Sequence, residues 1–335
     1  MRPCAPAWFS FGVKTFLVWV VKLHDVRSPW LRTALWGGIA MASVVLAHAQ
    51  SAISVGDSTG WTPWYTKTGA VMTDAQNDQQ TGQHTDDYVG DATRFGMMQK
   101  AGTIGGVDSV AWRFRFDDYS GADKFGGNGG NVGLGLDLDG NGSVDVMMVM
   151  SEGSGNVNNR ARTIYFGTPG AGANTGPSTT TWTINTGQTT KVSLVVNTTY
   201  DLVATNDGYN FAGTQDSWLT FAISFADLQA GIRAYAGSAF SDFVYDYDTK
   251  ISFIAFTSTQ LNALNQDLFG ASKAALTNGT AENTATWADL GAITPQVDAF
   301  GRVPEPATYA QLGALLLAGG IVAWRRRSRR REPAA

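Results

Sequence analysis

The clearest pattern in the chain is a two-residue alternation. In Val110-Ala111-Trp112-Arg113-Phe114-Arg115-Phe116 the residues Val110, Trp112, Phe114 and Phe116 fall on one face and the arginines on the other, as in a strand with one side in a core. Val132-Gly133-Leu134-Gly135-Leu136 repeats the pattern with glycine on the outer face, and residues 144–150 are continuously apolar, as in a central strand covered on both sides. Further strands are predicted over 163–166, 181–185, 192–196, 200–205, 218–224 and 251–256, separated by turn-rich text such as 126–130 and 167–179. Helical periodicity is scarce. One or two turns are expected over 225–232. Ser258 caps a second candidate, with Leu261, Leu264 and Leu268 on one face and Gly270 as its stop. The fold class read from this is all-β: an antiparallel β-sandwich, jelly-roll or lectin-like, with one or two short helices. Residues 50–85, polar around Trp61, Trp64 and Tyr65, read as a first strand and a loop. Trp287 reads as a last packing contact, and 291–302 as a linker.

The two ends have a different texture. Near the N-terminus, Arg32 is a short positive region, 34–46 is apolar, and Ala47-His48-Ala49 fits a small-x-small cleavage site before Gln50. Residues 1–49 thus read as a signal segment handled by signal peptidase. Residues 1–30 carry an additional apolar patch, 8–21, which is either text upstream of the true start or part of an unusually long signal segment. At the other end, Val303-Pro304-Glu305-Pro306 is stiff and extended, because each proline fixes its own φ and biases its predecessor away from helix. Residues 307–324 form an uncharged run near the lower limit for a transmembrane helix. Trp324 sits where an interfacial aromatic belongs. Arg325, Arg326, Arg327, Arg329, Arg330 and Arg331 follow, a cluster that stays on the cytoplasmic side and puts the rest of the chain outside.

Element by element, Val303 to Arg331 resembles the PEP-CTERM sorting signal of Gram-negative bacteria. That resemblance covers about a tenth of the chain. It implies a helix held in the inner membrane until an exosortase cleaves near the proline motif, delivery to the cell surface or beyond, and a link to exopolysaccharide and biofilm. The resulting organisation is a signal segment (1–49), an extracytoplasmic domain (50–290), a linker (291–302) and a sorting signal (303–335).

Setting the ends aside changes the charge. The whole chain has 24 basic and 28 acidic residues. Residues 1–49 hold five and one of these, and 304–335 hold six and two. Residues 50–303 therefore keep 13 basic and 25 acidic groups, a net −12, and 23 of those acids are aspartate. Such a domain does not bind nucleic acid by neutralising phosphates, and it suits a soluble extracellular protein or one that meets divalent cations. The only cysteine is Cys4, so no disulfide is expected in the exported part.

The sharpest chemical motif is Asp137-Leu138-Asp139-Gly140-Asn141-Gly142-Ser143-Val144-Asp145. Asp137, Asp139, Asn141 and Asp145 place oxygen side chains at positions 1, 3, 5 and 9, Gly142 turns the chain at position 6, and Ser143 can offer its carbonyl at 7. This is the spacing of a calcium loop and resembles EF-hand-like loops of extracellular proteins. Position 12 is Met148 where a bidentate glutamate is usual, and strands flank the loop where helices would be, which suggests weaker binding or one ligand borrowed from elsewhere, such as Asp117 or Asp118. A structural Ca2+ that pins the hairpin is the expectation. The competing reading is a hairpin whose Asp, Asn and Gly residues only satisfy turn geometry.

Other chemistry finds less support. Asp86-Asp87-Tyr88-Val89-Gly90-Asp91 could be a second cation site or a carboxylate pair for glycoside cleavage, but a solvated loop with Gly90 in its turn is the expected reading. His84 is the single histidine of residues 50–303 and is expected as an exposed bystander, which leaves no Cys–His pair or two-histidine zinc site. Gly56-Asp57-Ser58-Thr59-Gly60 matches GxSxG literally, but Trp61-Thr62-Pro63 argues against the helix a nucleophile elbow requires. Trp61, Trp64, Tyr65, Tyr209 and Tyr235 are the aromatics to weigh as sugar platforms. No catalytic residue is assigned. The expectation is a non-enzymatic surface or matrix protein, with a calcium-dependent carbohydrate-binding module as the alternative and a polysaccharide hydrolase or lyase after that.

Overall fold

The alternating segment forms a ten-residue strand at the centre of a sheet. In a computed structural model, which describes residues 51–79, 84–118, 130–153, 161–170, 181–211, 213–272 and 285–303, the fold is mostly β with two antiparallel sheets. The first sheet runs, in hydrogen-bonded order, β1 (Thr62–Pro63), β2 (Met97–Ile104), β3 (Val107–Phe116), β10 (Ser217–Ser224) and β9 (Tyr200–Ala204). The second runs β12 (Asp267–Leu268), β11 (Ser252–Ser258), β4 (Asn131–Asp137), β5 (Val146–Ser151), β6 (Thr163–Pro169) and β7 (Trp182–Ile184), with β8 (Val192–Ser193) also pairing β6. The signal segment 1–49 and the tail beyond Val303 lie outside the described residues. Among the described residues no helix is long and apolar enough to cross a membrane.

The pleat accounts for where the core lies. Val110, Trp112, Phe114 and Phe116 of β3 join Leu134 and Leu136 of β4 and Val146, Met148 and Met150 of β5 in one buried cluster, so both sheets contribute to the same core. Aromatic rings mediate much of the packing: Phe114 stacks on Phe221 at 5.4 Å, and Trp64 on Phe253 at 5.4 Å. The continuous apolar run of β5 is covered on both faces, as expected. Met147 and Val149 enter a second cluster with Ile254, Phe256, Leu268, Trp287 and Ile293. Gly133 makes that outer packing possible. It lies opposite Phe256 in the β4–β11 register, and a Cβ there would fall 1.9 Å from the ring.

The arginines of β3 do lie on its other face, but they are buried. Arg113 donates to the carbonyls of Asp57 (2.5 Å) and Val55 (2.6 Å), because residues 53–57 run across this face. Arg115, 1% exposed in its side chain, pairs with Asp216 at 2.7 Å and Asp207 at 2.6 Å.

The helix at 225 is longer than expected. Helix α1 (Phe225–Tyr235) starts at Ser224, whose hydroxyl accepts the Asp227 amide, and buries Phe225, Leu228, Gly231 and Ile232. The helix expected from Ser258 does not form. Ser258 ends β11, and its hydroxyl and the Asn265 side chain take the Gln260 and Thr259 amides (both 2.9 Å), which makes a turn. The chain then returns as β12, with Leu268 opposite Phe256 and Asp267 opposite Thr257. Side-chain bonds to turn amides compete with helix here, and the strand pairing they permit buries Leu268.

Residues 291–302, expected as a linker, belong to the fold. Ala292, Ile293, Thr294, Val297 and Ala299 are buried, and Val297 bridges Ile251 with two hydrogen bonds of 3.0 Å. The Gln99 side chain donates to the carbonyls of Asp298 (3.1 Å) and Ala299 (2.9 Å), which fixes this segment to β2.

Candidate metal sites

The predicted calcium motif forms the β4–β5 hairpin loop. Its two apolar residues, Leu138 and Val144, point into the fold and are buried, while its oxygen-bearing residues converge. Asp137, buried at the end of β4, accepts the Gly140 amide at 2.8 Å and the Gly142 amide at 2.9 Å, one on each oxygen. Asp139 accepts the Asn141 amide at 3.0 Å, Asn141 accepts the Ser143 amide at 2.7 Å, and Asp145 accepts the Leu138 amide at 2.8 Å. Gly140 and Gly142 take φ of +77° and +89°, which lets the chain coil this tightly. One carboxylate oxygen from each of Asp137, Asp139 and Asp145 lies within 4.8 Å of the others.

Burial dominates the electrostatics of this loop. It pushes the Asp145 carboxyl up to about 6, with the charges of Asp139 and Asp137 adding to it despite the Leu138 amide. Asp137 is raised as well, by burial first and by Asp139 after the opposing amide bonds of Gly142 and Gly140. Three carboxylates at this spacing are the hard-oxygen set that calcium takes.

Met148, at position 12, is fully buried in β5 and offers no oxygen. Asp117, expected as a substitute ligand, belongs to a separate group with His84 and Asp87. The neighbour the sequence did not indicate is Gln296, whose carboxamide lies against Gly140, close enough that a Cβ on the glycine would sit 2.7 Å from its Nε2.

The acidic segment 86–91 departs from the solvated loop expected. Asp86 and Asp87 are 1% and 0% exposed, and only Asp91 reaches solvent, where it caps the Thr93 and Arg94 amides at 2.7 Å each. Gly90 bridges Asp74, and a Cβ on it would fall 2.3 Å from the Gly96 amide nitrogen. Asp87 accepts the Asn77 amide at 2.7 Å and the Gln79 amide at 3.3 Å. Burial pushes both Asp86 and Asp87 up to about 6. His84 is exposed, but it is anchored: its Nδ1 lies 2.9 Å from Asp117, which is buried. A third group, Asp74, Asp78 and Asp267, was not indicated by the sequence, because Asp267 lies far along the chain from the other two, which sit in polar text that reads as loop.

The suspected aromatic platforms disperse. Trp64 is buried, and Tyr235 packs against the core. Trp61 carries the Arg113 guanidinium over its ring at 4.2 Å and donates Nε1 to the Asp57 carbonyl. Tyr65 is partly buried and bridges Val71. Tyr209 is 36% exposed, with Arg94 against one face at 3.7 Å. Ser58 lies in a polar turn, as expected, where the neighbouring Asp57 pairs with Lys100 at 2.7 Å.

No family model matches this chain, and neither a curated protein nor a solved structure shows significant similarity to it.

Proposed function

We propose that this chain is an exported, exosortase-sorted surface or matrix protein whose two sheets form a jelly-roll-like or lectin-like sandwich pinned by a structural Ca2+ in the β4–β5 loop. The observation that carries the calcium reading is the loop itself. Three carboxylates lie within 4.8 Å of one another at the hairpin that joins two core strands, and backbone amides already hold each of them in place. In this reading Asp137, Asp139 and Asp145 supply carboxylate oxygens, Asn141 its side-chain oxygen and Ser143 its carbonyl, and the ion relieves the repulsion among the three acids. The address rests on the sequence of both ends: the cleavage site at Ala47 and Ala49, and the run from Val303-Pro304-Glu305-Pro306 to the arginines 325–331. Signal peptidase, the exosortase and exopolysaccharide are the partners this reading names. A carbohydrate-binding role is the second reading, favoured by Tyr209, the one suspected platform that is exposed.

Two experiments test these halves separately. Cells with and without an exosortase are fractionated and the tail followed. Retention of the full-length chain in the inner membrane only when the exosortase is missing supports the sorting, and identical processing in both strains refutes it. For calcium, chelator should lower the melting temperature, and Asp139→Ala should remove the chelator-sensitive stability of the loop. Melting curves that coincide with and without chelator retire the ion.

A further inference from the structure

Away from the hairpin loop, a second set of acids lies entirely inside the fold. Asp74, Asp78 and Asp267 are 6%, 7% and 0% exposed, and each offers an oxygen within 4.8 Å of the other two. Distant parts of the chain bring them together. Asp74 is held by two hydrogen bonds to Gly90, of 2.9 and 3.2 Å, and Asp78 follows in the turn whose amides wrap Asp87. Asp267 opens β12 and accepts the Tyr88 amide at 2.7 Å.

A purely structural role would leave each buried oxygen with a donor. Asp267 meets that condition, since its other oxygen takes the Leu268 amide at 2.8 Å. Asp74 does not. Its Oδ1 takes the Ala75 amide at 3.2 Å and the Gly270 amide also acts on the carboxyl, but its Oδ2 is buried with no donor at hydrogen-bond distance. Gln79, next in sequence to Asp78 and 1% exposed, likewise has a buried Oε1 with no donor. Among the described residues neither Asp74 nor Asp267 forms an ion pair with a lysine or arginine. Burial, and then the charges of Asp267, Asp78 and Asp87, hold the Asp74 carboxyl well above its ordinary range, and the Gly270 amide only partly offsets them.

Buried charges persist in proteins when they are paired or bind metal. We propose that Asp74, Asp78 and Asp267 form a buried calcium site, with Asp74 Oδ2 among the oxygens the ion takes up. An all-carboxylate set selects a hard cation, and its burial away from solvent favours calcium over magnesium, which keeps much of its hydration shell. The ion clasps the 74–79 turn to β12 at the edge of the second sheet. This site shares no residue with the Asp137–Asp145 loop and stands without it.

The test counts calcium in the full chain after chelation and dialysis back into calcium. Wild type should retain two ions, Asp139→Ala one, Asp74→Asn one and the double variant none. Asp139 is exposed, so the Asp139→Ala arm does not depend on whether a core variant folds. An ion kept by Asp139→Ala and lost on adding Asp74→Asn supports the site. Loss of all calcium in Asp139→Ala, or an ion that survives in the double variant, overturns it. A count unchanged by Asp139→Ala refutes the loop reading instead. Stability supplies the second readout. With calcium bound, Asp74→Asn should lower the melting temperature. If protons alone neutralise the cluster, the same change removes a repelled acid and raises the melting temperature whether or not calcium is present, and the proposal fails.

Discussion

The amide of Tyr88 donates to the carboxylate of Asp267 at 2.7 Å, joining positions 179 residues apart. Around that bond Tyr88 stacks on Phe116 at 4.9 Å and meets the edge of Phe269 at 5.7 Å, so the end of β3 and the start of β12 are locked to one residue. Asp267→Ala strands two buried amides, Tyr88 and Leu268, while Asp267→Asn keeps an acceptor and removes the same charge. The alanine variant should therefore be less stable than the asparagine variant by about 1–3 kcal/mol, because a buried donor without a partner costs its full desolvation. Urea unfolding of the two variants side by side measures the difference. Equal midpoints would mean that the Tyr88 bond contributes nothing.

The buried cation of β3 gives a second expectation. Arg115 neutralises Asp216, which is fully buried, and also reaches the half-exposed Asp207 and the faces of Phe211 (5.2 Å) and Trp218 (5.4 Å). Arg115→Ala leaves Asp216 as an uncompensated interior charge and should cost about 3–5 kcal/mol. Adding Asp216→Asn to Arg115→Met removes both charges and keeps volume, and should recover a large part of that loss. A double variant as unstable as Arg115→Ala would place the cost in packing rather than in charge.

Gly133 and Phe256 make a third pair. The ring fills the space above the glycine, so Gly133→Ala overpacks the second sheet and should cost about 1–3 kcal/mol. Phe256→Ala opens a cavity beside Trp182, whose ring lies 4.9 Å away. If the ring itself is the obstacle, the double variant loses less than the sum of the two single losses. Strict additivity in a double-mutant cycle would refute that cause.

These pairs also show what the sequence made legible. The strands of the two sheets were readable because alternation registers burial directly: Trp112 and Phe114 point where period two puts them. The acidic cluster of the β4–β5 loop was readable because its members are local, with spacing that sets their convergence. The acids at 74, 78 and 267 were not, since aspartates among Asn, Gln and Thr read as turn residues and only the fold brings them within reach of one another. Residues 291–302 failed in a related way. Small residues such as Ala292 and Ala299 carry a weak hydrophobic signal, yet they fit closely against β2 and β11. At Ser258 two readings of the same leucines competed, and pairing of Leu268 with Phe256 prevailed over helical spacing.

The metal-free protein should become less stable as pH rises. Burial pushes Asp86, Asp87 and Asp145 up to about 6, so the fold favours the protonated form of each. A carboxyl whose folded value is raised adds stability that is complete below its ordinary value of 3.8 and is lost as pH climbs through about 6. Groups with the opposite shift act elsewhere. At Asp91 the upward push of burial is outweighed by bonds from Thr93 and Arg94, which bring it to about 2, so its contribution is already complete above 3.8. In chelator, the melting temperature should thus fall between about pH 4.5 and about pH 7. On the proposed calcium reading, saturating calcium should reverse that slope at the upper end, because an ion bound only by the folded chain would replace the protons that Asp145 and its neighbours give up. Melting curves across this range, with chelator and with calcium, read both effects. A chelated protein whose stability is flat or rises with pH would show that these buried acids are neutralised by some other means.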